Sequence, residues 1–458
     1  MGLGYVGLTT AVCLASKGFR TVGLDTDIEK LKSLNKGKTN MEEKGLSQLL
    51  KRVVDSGLLT FTSSYRRAVG NAGVVFITVG TPSRNDGSID LSFVKSAAKS
   101  LGKALSHEHG YKVFVVKSTV VPGTTEGVIK PIIEEKSGMN LGRFGIATNP
   151  EFLREGSAIE DTMSPDRLVI GTDDSKSANR IFKFYRRFYE KGFPETIRTS
   201  SVNAELIKYC SNAFLATKVS FINEVANLCG AVPGADVKVV AKGMGLDKRI
   251  SPYFLNAGLG WGGSCFGKDI RAFRSFAKGV GGELPITWSS YETNMTQHLR
   301  ALELARKHLG YLKGKRIGIL GLSFKPDTGD MREAVSVRLI EQLLNQGSKV
   351  IAYDPVAIPA AKRAFGKRVA YAKSAIACVD GADCCIIVTE WNEFKQLRPK
   401  DFLRMRNPLL IDGRRIYDPA KFKETLKFEA IGLGGRPSHY GKHSSQPLEE
   451  NVLKISDR

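Results

Sequence analysis

Gly2-Leu3-Gly4-Tyr5-Val6-Gly7, with Asp25 eighteen residues beyond Gly7, is the stretch that decides the fold. It reads G-x-G-x-x-G and opens a helical run over Leu8–Lys17, and the acid closes a strand-like run over Thr21–Asp25. Glycines at these places permit a tight turn, close approach of backbone to a pyrophosphate and tight helix-to-strand packing, while the acid reaches ribose hydroxyls. Asp25 would repel a 2′-phosphate, so Gly2, Gly4, Gly7 and Asp25 predict a site for NAD rather than NADP. The alternative, a glycine-rich turn with no ligand, does not account for an acid at this distance. Such a motif follows a strand, yet only Met1 precedes Gly2. That strand would lie inside the sheet, flanked by Thr21–Asp25 and Lys112–Lys117 or their neighbours. The sequence therefore predicts about five to ten further apolar residues ahead of Met1 in the natural protein.

Outward from the motif, residues 1–195 alternate apolar runs (Val74–Val79, Lys112–Lys117, Phe144–Thr148) with helical patterns. This is the rhythm of a parallel sheet with helices on both faces. Ligands in such sheets bind beyond the carboxyl ends of the strands. Those ends carry Asp25, Gly80-Thr81-Pro82, Ser118-Thr119 and Asn149-Pro150-Glu151. Residues 196–310 change to helical patterns, beginning with one long helix from about Ser201 to Cys229. On it Glu205, Lys208 and Asn212 share a face, a polar stripe that reads as the solvated side of the helix. Residues 311–435 form a second α/β unit: a strand at Arg316–Leu320, a turn at Gly321–Lys325, a helix at Val335–Leu344 and a strand at Val350–Asp354 that again ends in an acid. Residues 436–458 form a polar tail. The expected fold is α/β, with two Rossmann-like doubly wound domains joined by a central helical region.

Composition narrows the function. The chain has 458 residues, 42% hydrophobic and 25% charged, the balance of a soluble globular protein of several domains. No run approaches the roughly 18 apolar residues of a membrane span, and no leader pattern predicts secretion. Seven cysteines without C-x-x-C spacing, and six histidines, argue against a metal site or a disulfide framework. They fit a reducing, cytoplasmic setting. Cys384-Cys385, inside an apolar run, reads as strand core. The net charge of +22 is dispersed along the chain without an aromatic-interleaved basic platform. It therefore predicts attraction of anionic small molecules rather than nucleic acid.

The chemistry is carried by Gly262-Gly263-Ser264-Cys265-Phe266-Gly267-Lys268-Asp269, ahead of a helix from about Ile270 to Ala277. A helix N-terminus and a neighbouring ammonium favour the nucleophilic thiolate. A tight turn holding a buried core cysteine is the other reading. An NAD site beside an activated thiol implies that an alcohol is oxidised to an aldehyde, captured as a thiohemiacetal, oxidised again to a thioester and released by water as an acid. Donors such as Lys208 and Asn212 would stabilise the oxyanions, and Asp269, Glu151 or Glu155 would handle the water. Lys325, in a turn after the second unit's first strand, is either a phosphate ligand or a surface lysine.

These motifs resemble the UDP-glucose/GDP-mannose dehydrogenase family. The match runs in family order through Gly2–Gly7, Gly80-Thr81-Pro82, Ser118-Thr119-Val120, Asn149–Gly156, Ala204–Lys208, Gly262–Asp269, Gly321–Asp327, Thr389-Glu390-Trp391 and Asp412-Gly413-Arg414. The resemblance implies a four-electron, NAD-dependent oxidation of UDP-glucose to UDP-glucuronate with Cys265 as nucleophile. By the same resemblance Lys208, Asn212 and Asp269 stabilise oxyanions and activate water, and Thr119, Glu151 and Glu155 belong to the water and proton network. Val6, Asp25, Lys30, Thr81, Thr119, Glu155, Lys268 and Arg332 would contact NAD. The UDP-sugar would meet Glu151, Phe152, Leu153, Arg154, Lys208, Phe254, Leu255, Asn256, Ala257, Gly258, Gly262, Lys325 and Arg414. The family forms homodimers through its long helix, with Arg249 reaching a neighbouring subunit's site. Ser264 stands where the N-acetylhexosamine enzymes carry histidine, and Thr389-Glu390-Trp391 looks like the UDP-glucose branch. GDP-mannose or another UDP-sugar is the alternative substrate, and a non-catalytic nucleotide-sugar binder is the alternative of another class.

Overall fold

The computed structural model describes residues 1–435 apart from 71 and 109, so the polar tail at 436–458 lies outside the described residues. Thirteen short strands form among these residues. The N-terminal ones are β1 (Thr21–Leu24), β2 (Leu59–Thr62), β3 (Val74–Ile77), β4 (Val113–Val116), β5 (Gly145–Thr148), β6 (Leu168–Gly171) and β7 (Thr196–Thr199). The C-terminal ones are β8 (Arg316–Leu320), β9 (Lys349–Tyr353), β10 (Ala370–Tyr371), β11 (Cys384–Ile387), β12 (Leu409–Asp412) and β13 (Lys427–Ala430). β4, β5, β11 and β12 are buried at every position, as strands covered by helices on both faces require. Cys384 and Cys385 are core residues of β11, as expected.

The C-terminal sheet is parallel throughout in the order β10-β9-β8-β11-β12-β13. Its switch point, where ligands bind in such folds, lies between β8 and β11. In the N-terminal domain β1 pairs with β2, and β3 to β7 make a separate sheet in sequence order. β6 runs antiparallel to β5 at the Thr148–Gly171 bridge, a departure from the parallel pattern the sequence suggested. Met1 and Gly2 lie between the two sheets. Gly2 N–H donates to Leu24 O at 2.8 Å, the Met1 α-amino group to Phe76 O at 2.8 Å, and Thr78 N–H to Met1 O at 2.8 Å. β1 and β3 therefore flank the glycine turn. Burial pushes the Met1 amine down to about 5.

The helix Ser201–Ala231 joins the two units. Near its start it meets β6 so tightly that a Cβ on Gly171 would come 2.5 Å from Ala204 Cβ. Further along, Ile222, Ala226 and Cys229 enter the same core as Ile317, Ile319 and Leu339. Its amphipathicity is inverted. Glu205, Lys208, Asn212, Ser220 and Asn223 are buried, while Phe214, Phe221 and Leu228, two turns apart, are 66%, 50% and 66% exposed. The expectation that the polar stripe faces solvent is corrected: the stripe is buried, with Lys208 and Asn212 turned to the site and Glu205 accepting from Gly123 and Thr125, and a large apolar stripe faces outward.

Candidate active site

Gly4 is the N-cap of the helix Tyr5–Ser16, and a Cβ there would meet nothing within 4 Å. A Cβ on Gly7 would strike Gly2 O at 1.8 Å, so this glycine permits the close helix-to-turn packing. Asp25 stands at the end of β1 and accepts from Leu3 N–H at 2.7 Å and Lys30 Nζ at 3.1 Å. Against desolvation, hydrogen bonds from the Asp27 and Leu3 amides, with Lys30, hold its carboxyl below the usual range. An open turn at a helix N-terminus beside an ionised acceptor fits a dinucleotide's pyrophosphate and ribose. Val6 lies in the first turn of this helix. Thr81 donates to Thr119 O at 2.9 Å, bringing the ends of β3 and β4 together.

Cys265 is the N-cap of the helix Phe266–Gly279, which starts four residues earlier than the sequence pattern predicted. The glycines before it also permit close packing between domains. A Cβ on Gly262 would lie 2.6 Å from Glu333 O, and one on Gly263 (φ +90°) 2.8 Å from the Phe324 ring. The cysteine turn is therefore pressed against a loop of the C-terminal domain. Three charged groups face the thiol. Lys208 Nζ lies 3.1 Å from Glu151 Oε1, with both side chains buried. Asn212 Nδ2 donates to Asp269 Oδ2 at 2.7 Å, and Lys268 Nζ holds Asp269 Oδ1 at 2.7 Å.

The charge environment corrects one expectation. Cys265 opens onto the cleft, yet desolvation by the cleft walls, then Asp269 and Glu151, push its thiol up; Lys208 and a Ser264 hydrogen bond oppose them. Lys268 pairs with Asp269 rather than with the thiol. Despite desolvation, Glu151, Asp269 and Cys265 hold the Lys208 ammonium above its ordinary range. Glu151 is desolvated too, but Lys208 and the Leu153 amide keep it low. Glu155 goes the other way: desolvation and Asp330 push it up. It accepts from Ser264 Oγ at 3.1 Å and Arg332 Nη2 at 3.3 Å, and Lys325 donates to its carbonyl oxygen.

The remaining candidates divide. Arg414 pairs with Glu390 at 2.5 and 2.8 Å at the switch point and touches Gly260 O. Leu255, Ala257 and Gly258 are buried in the wall, with Phe254 at φ +63° and Asn256 exposed beside them. Phe152 is covered by the Arg167 guanidinium at 3.9 Å, with Lys208 Nζ 5.4 Å from its ring. Arg154 turns onto Asp161 at 2.5 Å, and Arg249, 90% exposed, onto Asp247 at 2.6 Å; neither reaches the thiol cluster. Two neighbours escaped the sequence reading. Glu390 was quoted only within a motif. Lys117 donates to Asn149 Oδ1 at 3.0 Å beside Glu151, and desolvation lowers it to about 8. Its place at a strand end was the available signal.

Known proteins match the chain over nearly its whole length. Three domain profiles of the UDP-glucose/GDP-mannose dehydrogenase family fit in order: the NAD binding domain at residues 1–189, the central domain at 202–296 and the UDP binding domain at 318–419. The chain belongs to this family. Among its relatives, the dehydrogenase is 40% identical over 458 residues to the UDP-glucose 6-dehydrogenase TuaD of Bacillus subtilis, spanning 98% of this chain and 96% of the other. It is 41% identical to AglM of Haloferax volcanii, also a UDP-glucose 6-dehydrogenase, over 94% and 99% of the two chains. The solved UDP-glucose dehydrogenase of Pyrobaculum islandicum superimposes with a TM-score of 0.86 at 39% identity, over 94% of this chain and 96% of that one. The dehydrogenase's glycine turn thus lies in an NAD-binding domain, and the β8–β11 switch point in a UDP-binding domain.

Proposed function

We propose that the protein oxidises UDP-glucose to UDP-glucuronate in two NAD-dependent steps through a thioester on Cys265, as a homodimer. The observation that carries this reading is the setting of Cys265, a cleft thiol facing an ammonium, an amide and two carboxylates. NAD, when bound, accepts one hydride in each oxidation, and Gly2, Gly4, Val6, Gly7, Asp25, Lys30, Thr81, Thr119, Lys268 and Arg332 are its proposed contacts. The chain supplies the rest. As the C6 alcohol becomes an aldehyde, the hydroxyl proton passes into the network of Thr119, Glu151 and Glu155. The thiol proton moves to Asp269 or Glu151, and sulfur adds to the aldehyde carbon. Lys208 and Asn212 donate to the resulting oxyanion. Once the second oxidation has formed the thioester, a carboxylate takes a proton from water. The oxygen attacks the acyl carbon, the C–S bond breaks, and the acid leaves with the thiol restored. Lys325, Arg414, the Phe254–Gly258 stretch and Gly262 hold the nucleotide sugar.

The exposed Phe214, Phe221 and Leu228 stripe supports the dimer: large side chains at two-turn intervals on one helix suit a second copy of that helix. Arg249, free of its own subunit's site, would then reach the partner's. Seven free thiols suit a cytoplasmic enzyme. Counting NADH against sugar tests the reaction. Two NADH per UDP-glucose with no free aldehyde is expected. One NADH with accumulating aldehyde, or faster turnover of GDP-mannose or another UDP-sugar, overturns it.

A further inference from the structure

The loop Phe254–Trp261 has almost no regular structure of its own, yet its backbone is held by buried amides from two helices. Asn223, on the long helix, accepts from Gly258 N–H at 2.7 Å. Gln297, at the end of the helix Pro285–Gln297, donates to Gly258 O at 2.9 Å and is braced by Asn227 at 2.9 Å. Asn294 grips Trp261 from both sides, accepting from its N–H at 2.7 Å and donating to its C=O at 3.0 Å. The Trp261 indole donates to Ser220 Oγ at 3.0 Å, and Ser220 passes the bond to Ser290 O at 2.6 Å. Asn223, Asn294 and Gln297 are each at most 1% exposed. Gly260, at φ +112°, must be glycine: a Cβ there would sit 2.6 Å from Asn294 Oδ1.

The chemistry suits the task. A neutral amide offers a donor and an acceptor together, so it satisfies both groups of a peptide without burying an ion. Asn294 thereby stands in for a neighbouring strand. The loop also carries a cost, because Phe254 is held at φ +63°, a conformation that persists only where surrounding contacts outweigh it. Asn212 and Asn223 are eleven residues apart on one helix, about 16 Å along its axis and on the same face.

We propose that Asn223, Asn294 and Gln297 are positioning residues that hold the Gly258–Trp261 backbone in the shape that receives the nucleotide sugar. One rigid helix then fixes both ends of the substrate, Lys208 and Asn212 at the reacting carbon and Asn223 at the binding loop. The inference rests on reading this loop as the nucleotide-sugar wall. Without the clamp, ordering the loop is charged against binding.

Calorimetry with UDP as the probe and NAD as the control tests it. Asn294→Ala is expected to weaken UDP by about tenfold or more and to raise KM for UDP-glucose in step. NAD affinity and kcat should stay within about twofold. A purely structural role would degrade NAD binding equally, and that result, or unchanged UDP affinity, overturns the proposal. Gln297→Met, which keeps volume but loses the bond to Gly258 O, is expected to move UDP affinity in the same direction. Hydrogen exchange on the parent protein needs no variant. The Gly258 and Trp261 amides are expected to be protected in the free enzyme, and exchange at open-loop rates refutes the clamp. A parent protein that binds no UDP refutes the site reading itself. One that binds UDP while both variants bind it equally refutes the clamp alone.

Discussion

Removing Lys208 separates two roles that a single side chain performs. Lys208 and Glu151 lie 3.1 Å apart, 5% and 9% exposed. At that distance and an effective dielectric of about 20, their attraction is about 5 kcal/mol. Lys208→Met keeps the stem and deletes the charge, leaving Glu151 buried with Lys117 as its remaining neighbouring cation. Breaking a buried pair in this way costs about 3–5 kcal/mol, whereas replacing both partners is far milder. The double variant Lys208→Met/Glu151→Leu is therefore expected to recover most of the unfolding midpoint in urea. Turnover separates from stability: losing one oxyanion donor costs about 10²–10³ in kcat, and the double variant does not recover it. Acid supplies a further check. Glu151 is held low in the folded protein, so its contribution is present above the unfolded carboxylate range and is lost as pH falls through the folded value. The gap between the single variant and the parent should close in that acidic window. A single variant as stable as the double at neutral pH refutes the buried-pair argument. Wild-type turnover in either variant removes Lys208 from the chemistry.

Cys265→Ser is expected to abolish steady-state turnover while UDP affinity stays within about twofold, since a hydroxyl cannot supply the nucleophile a thiol can; sustained turnover would dismiss the thioester. Asp25→Ala should weaken NAD and narrow its lead over NADP, read as the ratio of kcat/KM values; an unchanged ratio means that Asp25 does not face the ribose. Phe221→Asp, on the exposed stripe of the long helix, should shift the protein to a monomer in sedimentation velocity if that stripe joins two copies. A dimer that survives the charge places the interface elsewhere.

The sequence carried the fold through its punctuation. G-x-G-x-x-G with a distant acid, two strand-turn-helix openings and a breaker-free central run located both domains and the helix between them. The polar stripe was legible as a stripe but not in its direction. Periodicity specifies which residues share a face, and only tertiary contact decides that Glu205, Lys208 and Asn212 turn inward while Phe214 and Phe221 turn out. The same limit hid the packing of Gly262 and Gly263, whose crowding by Glu333 and Phe324 comes from residues some sixty to seventy positions away. The sequence does not show the state of Cys265, because its neighbour Lys268 pairs with Asp269, while Lys208, which opposes the rise of the thiol, is far off in the chain. Asn223, Asn294 and Gln297 gave no motif at all, since their partners are backbone atoms that any sequence provides.

The contacts of Glu155 have a consequence for how such a protein can change. Its carboxylate meets Ser264 of the central region and Arg332 of the C-terminal domain, and its carbonyl oxygen meets Lys325. One residue of the cofactor-binding half thus touches both other parts at once. Modules of this protein are not interchangeable goods. A borrowed dinucleotide-binding domain could present NAD faithfully and still leave the central cysteine turn and the C-terminal loop without their common neighbour. A change at Glu155 is therefore felt by the cysteine turn and by the C-terminal loop together.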